Sequence, residues 1–91
     1  MNSYFYTNQI ISGNGVEQLI KAKDEVMYDL QIINQSSTGS IFVYLVEKEF
    51  NVNNFIEIKA GGYISFEKSV PLNAIYVSAA AGVNCLVQYV K

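Results

Sequence analysis

Three side chains that carry much protein chemistry are missing from this sequence, which has no histidine, no arginine and no tryptophan. Without histidine, the usual general base and the commonest nitrogen ligand for metals are absent. Without arginine, the planar fork that clamps phosphate and reads guanine edges is absent too. Six lysines lie singly along a chain of net charge −2, so no basic stripe exists to neutralise several phosphates. We therefore expect no catalytic residue, no metal, no cofactor and no direct nucleic-acid binding.

Charge and cysteine are also sparse. Charged residues make up 15% of the chain, against roughly 25% in an average globular domain. Low charge is consistent with a well-filled small core, and equally with an apolar surface that other protein copies cover. The single cysteine, Cys85, permits no internal disulfide, and its apolar neighbours predict a small buried hydrophobe. A lone thiol also fits synthesis in a reducing compartment.

The sequence shows no targeting or membrane segment. Its first residues lack the basic and continuous apolar regions of a signal peptide. The longest apolar run, residues 41–46, is far shorter than the roughly 18–20 residues that span a bilayer. We expect synthesis in the cytoplasm and no membrane partner.

Clusters that resemble functional motifs have simpler explanations. Glu47 and Glu49 have the spacing of two carboxylates on one strand face, but a charged strand end explains them. The asparagines of residues 51–54 are weak neutral ligands for calcium and are typical of a turn. Gly61-Gly62 lacks the flanking residues of a phosphate loop and predicts a hairpin turn.

Turn residues divide the chain into pieces of about five to ten residues, the spacing of strands in a sandwich or barrel. The fold class predicted is all-β, a small antiparallel β-sandwich or barrel of about seven to eight strands. Residues 16–91 would form this single domain, and residues 1–15 an N-terminal arm or edge strand. Residues 16–22 predict a weaker strand, although a short helix is conceivable there.

Two predicted strands are informative about faces. Val26, Tyr28, Leu30 and Ile32 alternate with Asp29 and Gln31, so the first set should face the core. Residues 35–40 then predict a hairpin loop. The next strand, Ile41–Val46, is apolar on both faces and belongs in the middle of a sheet. Its outer residues need cover from a neighbouring subunit, from a loop or from the N-terminal segment.

Aromatic residues give the candidate interface. Most tyrosines fall in predicted strands, where packing across neighbouring strands explains them. Three consecutive aromatics near a free terminus are costly to expose, so we expect the arm to dock on a partner or on the domain's own edge. The predicted interface residues are Tyr4, Phe5, Tyr6, Phe42 and Tyr44.

The sequence contains, in this order, an apolar strand that ends in Asn, a polar loop, paired strands around a Gly turn, and an Ala-Ile-Tyr strand. These features lie within residues 30–37, 39–43, 58–66 and 70–77. This order resembles small β-sandwich modules of tailed-bacteriophage virions, over about residues 16–91. Those modules often have an arginine before the first core strand, whereas this chain has Lys23-Asp24-Glu25.

The resemblance implies a virion structural protein made in the host cytoplasm: a capsid-associated, head-fibre or neck and tail component. Its partners would be other virion proteins and further copies of itself, in a homo-oligomer. The alternative is a carbohydrate- or ligand-binding β module that uses its tyrosines for stacking. An enzyme is the least favoured interpretation, because histidine is absent and the carboxylates are scattered.

Overall fold

A computed structural model of the chain describes residues 6–46, 54–67 and 70–90. Within these residues there is no helix, and eight strands form two antiparallel sheets of four. This confirms the predicted all-β sandwich. The strands are β1 (Thr7–Ser12), β2 (Gln18–Lys21), β3 (Tyr28–Asn34), β4 (Ile41–Val46), β5 (Ile56–Ile58), β6 (Tyr63–Phe66), β7 (Ala74–Ala79) and β8 (Asn84–Val90).

The chain pairs like one long hairpin that has been rolled up. β1 pairs with β8, β2 with β7, β3 with β6 and β4 with β5. Contacts of β3 with β8 and of β4 with β7 then join these pairs side by side. Sheet 1 has the order β1-β8-β3-β6, and sheet 2 has the order β2-β7-β4-β5. This is the strand order of a jelly roll, the eight-stranded double-sheet architecture.

The topology corrects two expectations about turns. Residues 35–40 and the Gly61-Gly62 pair do not close hairpins, because each connects a strand of one sheet to a strand of the other. The local chemistry was read correctly: Gly39 and Gly61 have φ values of 82° and 75°, which favour glycine. Turn chemistry reverses the chain locally, but it does not determine which sheet the next strand joins.

The core lies between the sheets and is built from alternate residues of the central strands. Ile41 and Val43 of β4 face inward and are fully buried, and so are Ile75 and Val77 of β7. Opposite them in sheet 1 lie Leu30, Ile32 and Val87, which are also fully buried. Burial of one such side chain stabilises the fold by about 1.5–3 kcal/mol.

A β-bulge in β3 corrects the predicted inward face of that strand. The register with β8 shifts between Tyr28 and Gln31, where Asp29 has a φ of 51°. The extra residue reverses the alternation. Leu30 is buried as expected, but Val26 and Tyr28 are exposed, and Met27 is buried in their place.

Asn34, at the end of β3, is a buried polar residue that joins three segments. Its Nδ2 donates to the carbonyl oxygens of Gly39 (3.0 Å) and Ile58 (2.9 Å). Its Oδ1 accepts from the backbone N–H of Ser36 at 2.9 Å. With 1% of its surface exposed, Asn34 ties the crossing from β3 to β4 to the end of β5.

Candidate interaction surfaces

The outer face of sheet 1 contains a row of apolar side chains that crosses all four strands. Ile10 lies opposite Leu86, Leu86 lies opposite Ile33, and Ile33 lies opposite Tyr63. The two ends of the row are the most exposed, at 63% for Ile10 and 67% for Tyr63. Directly opposite residues on one face are close enough to pack, so the row is a continuous apolar strip.

A polar row runs beside this apolar row. Asn8 lies opposite Gln88, Gln88 opposite Gln31, and Gln31 opposite Ser65. The Ser65 hydroxyl is buried and has no hydrogen-bond partner among the described residues. The amide groups of the row donate and accept hydrogen bonds without carrying charge.

Sheet 1 is almost free of charge. Its four strands contain one charged residue, Asp29, which lies at the bulge of β3. We call the outer face of sheet 1, on which the two rows lie, the neutral face. Its four strands are about 4.8 Å apart and on average about 20 Å long, which gives roughly 400 Å² of flat area. One partner of a standard protein interface contributes about 800 Å², so the neutral face alone is half a stable interface.

The outer face of sheet 2 carries aromatic residues. Tyr44 lies opposite Tyr76, and Tyr76 lies opposite Leu19. Phe55 packs edge-on against Phe42, with ring centroids 5.1 Å apart, and also against Tyr44 at 6.2 Å. Edge-to-face pairs at this separation are the favoured aromatic geometry. Phe55 therefore covers part of this face from within the same chain.

The predicted interface residues fall into two groups. Tyr4 and Phe5 lie outside the described residues, whereas Tyr6 directly precedes β1 and is 45% exposed. Phe42 is half-buried, and Tyr44 is 8% exposed. The structure therefore gives Phe42 and Tyr44 an intramolecular neighbour and leaves little of Tyr44 for another molecule.

Residues 7–12, within the segment predicted to be an arm or edge strand, form β1 at the edge of sheet 1. The sequence prediction missed the neutral face, with Ile10, Ile33, Tyr63 and Leu86. One signal was present in the sequence: the segments that became β1, β6 and β8 contain no charged residue.

The Cys85 thiol and the Lys21 ammonium are two titratable groups in the interior of the sandwich. Cys85 is buried, as predicted, and desolvation raises the pKa of its thiol to about 11. It is therefore protonated near neutral pH, which is the form that does not attack electrophiles. No three metal-ligating side chains come together within residues 6–46, 54–67 and 70–90.

Lys21 is a buried cation at the edge of sheet 2. Its Nζ donates to the carbonyl oxygens of Asn73 (2.9 Å) and Ala22 (3.2 Å), which links β2 to the segment before β7. Desolvation lowers the pKa of Lys21, while Glu25 and then Asp24 act in the opposite direction. All of this ammonium's described hydrogen bonds go to backbone carbonyls, so its role is structural.

A hollow of about 110 Å³ lies beside Lys21, lined by Lys23, Asp24, Leu72 and Asn73. Ligand pockets are usually about 300–1,000 Å³, so the hollow is too small for a typical organic ligand. Among the residues that the structure describes, no helix is long and apolar enough to cross a bilayer.

Comparison of the chain with protein-family models, with curated proteins and with solved structures finds no match.

Proposed function

We propose that this chain is a structural protein of a tailed-bacteriophage virion, a capsid-associated, head-fibre, neck or tail component. It is used in several copies and acts through protein–protein contacts rather than through chemistry. The neutral face of sheet 1 is the observation that carries the proposal. The four strands of this sheet contain one charged residue, so electrostatic repulsion between the neutral face and another protein surface is weak.

The jelly-roll topology supports the proposal by analogy. Jelly rolls form viral capsid domains, and they also form lectin domains and cupins. Because one fold serves many functions, the strand order raises the expectation of a capsid role without selecting it. The sequence resemblance to virion modules points in the same direction.

The size of the neutral face indicates how assembly works. Its roughly 400 Å² is half of what one partner contributes to a standard interface, so a stable complex needs a second contact. Leu19 and Phe55 on the outer face of sheet 2, which are 50% and 46% exposed, supply apolar area for such a contact. Several weak contacts per copy, made simultaneously in a particle, add up to stable binding.

The direct test is peptide mass spectrometry and antibody labelling of purified particles of the phage that encodes this chain. The expected result is many copies in each particle. Absence of the chain from particles, with abundant free chain in the infected cell, contradicts the proposal.

A variant pair tests the neutral face itself. Leu86→Lys puts a charge in the middle of the apolar row, between Ile10 and Ile33. Val16→Lys adds the same charge at an exposed site outside the neutral face. If both variants melt as cooperatively as the parent chain, incorporation into particles should fall at least tenfold for Leu86→Lys and remain normal for Val16→Lys. Equal incorporation of the two variants rejects the neutral face as the contact surface.

A second candidate, carbohydrate binding, is favoured by the polar row. Gln31 and Gln88 present amide groups on a flat face, and Tyr63 at its edge is exposed. Amides that hydrogen-bond hydroxyl groups, next to an aromatic ring, suit a sugar. A glycan array separates the candidates. Carbohydrate binding predicts a hit that Gln31→Ala and Tyr63→Ala each remove, whereas the virion proposal predicts no hit.

A further inference from the structure

Each sheet has two edge strands, and they differ in how well they resist pairing with another chain. β5 has three residues and contains Glu57, and β6 has four residues. β2 has four residues, with a register shift between Leu19 and Lys21. Short length, charge and bulges are the usual devices that stop an edge from adding another strand.

β1 has none of these devices. Its six residues pair with β8 in unbroken register, and it contains no charge and no proline. Ile10 and most of its neighbours in β1 are exposed. A long, regular, uncharged edge is a template for an added strand.

The direction of the backbone groups follows from one hydrogen bond. Gly13 donates its N–H to the carbonyl of Val83, directly across the β1–β8 ladder, at 3.0 Å. Because bonded and non-bonded pairs alternate in an antiparallel ladder, Thr7, Gln9 and Ile11 also bond toward β8.

The intervening residues, Asn8, Ile10 and Ser12, therefore point their N–H and C=O groups away from the molecule. The Ser12 carbonyl already accepts a hydrogen bond from Gln18 Nε2 at 2.9 Å. The backbone groups of Asn8 and Ile10 have no partner on that side among the described residues. Four backbone groups are thus arranged to pair with a strand.

We propose that β1 pairs antiparallel with β1 of a second copy, about a two-fold axis at Gln9, so that sheet 1 continues across both copies. This inference deepens the assembly role proposed above by naming the partner. In this register, Asn8 and Ile10 of one copy exchange four backbone hydrogen bonds with Ile10 and Asn8 of the other. The two Gln9 residues face each other on the axis.

Symmetry and charge both favour a second copy of this chain as the source of the strand that pairs with β1. An antiparallel pair of identical strands is self-complementary, as a two-fold interface requires. Directly opposite residues of paired strands lie on the same face of the sheet. In this register the residues of β1 that face inward in one copy therefore lie on the same side of the joined sheet as those of the other copy. The strand has no charge, so two copies bring no like charges together.

The contact area predicts a weak dimer. A strand of six residues is about 20 Å long, and the molecule is 17 Å across its shortest axis. The two facing edges, one from each copy, therefore bury roughly 700 Å² in total, which is below the 1,200–2,000 Å² that stable interfaces bury. The dimer should form reversibly as concentration rises.

Sedimentation velocity of the purified full chain over a wide concentration range tests the dimer. We expect the mass to rise toward that of a dimer with concentration. Ile10→Lys places a charge on the edge, and Ile10→Pro removes an N–H that points away from β8, so both variants should remain monomeric. Val16→Lys is the matched control and should associate like the parent.

Cysteine cross-linking tests the register. Gln9→Cys places two thiols on the axis at a non-hydrogen-bonded pair, about 4.5 Å apart between Cα atoms, within disulfide reach. Asn8→Cys places them about 8 Å apart, beyond disulfide reach. Mild oxidation should therefore dimerise Gln9→Cys at least tenfold faster than Asn8→Cys, and the buried Cys85 does not compete.

Three results overturn the inference: a parent chain that stays monomeric at the highest concentration, dimerisation unaffected by both Ile10 substitutions, or equal cross-linking at the two cysteine positions. A monomeric chain that is nevertheless abundant in particles overturns this strand pairing alone. A dimer that is absent from particles overturns the virion role alone.

Discussion

Asn34→Asp is the substitution that most sharply tests how this sandwich is held together. The change preserves the shape of the side chain but removes both hydrogen atoms that Nδ2 donates to the carbonyls of Gly39 and Ile58. The oxygen that accepts from Ser36 is kept. The carboxylate then lies beside two carbonyl oxygens in a site that is 1% exposed.

The expected loss is a large part of the total stability. Two lost hydrogen bonds remove about 1 kcal/mol each, and two carbonyls left beside a buried negative charge add a penalty of similar size. Together these effects lower the free energy of unfolding by about 3–5 kcal/mol near neutral pH. A domain of this length has roughly 5–14 kcal/mol in total.

The loss should depend on pH, with a sign that follows from burial. Desolvation and the two carbonyls raise the pKa of the new carboxyl in the folded state, so the folded chain holds its proton at a pH where the unfolded chain has released it. Stability of the variant therefore falls as pH rises above the ordinary aspartate pKa of about 4, until the folded-state pKa is passed. Below that range the protonated acid donates one hydrogen bond, and part of the loss is recovered.

Urea unfolding followed by circular dichroism, at about pH 4 and about pH 7, measures both effects. Asn84→Asp is the matched control, because it makes the same change on an exposed side chain of β8. If Asn34→Asp loses no more stability than Asn84→Asp, or loses the same amount at both pH values, the assigned role of Asn34 is wrong.

Three further predictions concern the loops and the interior. A Cβ on Gly13 would lie 2.1 Å from a backbone oxygen of the β7–β8 connection, whereas a Cβ on Gly15 would meet nothing. In thermal melts, Gly13→Ala should therefore lose at least twice as much stability as Gly15→Ala, whose loss of about 1 kcal/mol reflects its positive φ. Cys85 in the native protein should react with iodoacetamide at about pH 8 at least ~100-fold more slowly than in urea, because its pKa is raised to about 11. If the reaction rates of the native and the unfolded protein differ by less than tenfold, the thiol is accessible. Because desolvation lowers the pKa of Lys21, the unfolded chain binds more protons than the folded chain in the alkaline range. The parent should therefore gain stability relative to Lys21→Met as pH rises toward the ordinary lysine pKa. A loss of relative stability with rising pH, measured by urea titrations, would show that attraction to nearby carboxylates dominates.

Local patterning predicted much of the fold because its physical cause is local. The spacing of the turn residues, with short apolar and β-branched segments between them, correctly predicted a sandwich of about eight strands. The bulge in β3 was not predictable in the same way. It depends on how β3 pairs with β8, a strand some fifty residues further along the chain. Tyr28 and Met27 therefore exchanged the sides that the alternation assigns to them.

The candidate surfaces show the same division. Aromatic character drew attention to Phe42 and Tyr44, but Phe55, across the β4–β5 hairpin, packs against both. The neutral face depends on residues from four strands that are far apart in the chain, so no single segment displays it. The virion role remains a prediction, since neither the fold nor the comparisons with known proteins test it.

The sequence by itself determined an all-β chain and the positions of several turns, because strand periodicity and glycine conformation act within a few residues. Only the tertiary structure decided which strands became neighbours, which strand was left as an open edge and which side chains met on the neutral face. Those outcomes depend on pairing between distant segments, where burial of the whole core selects one arrangement among many that the local pattern allows.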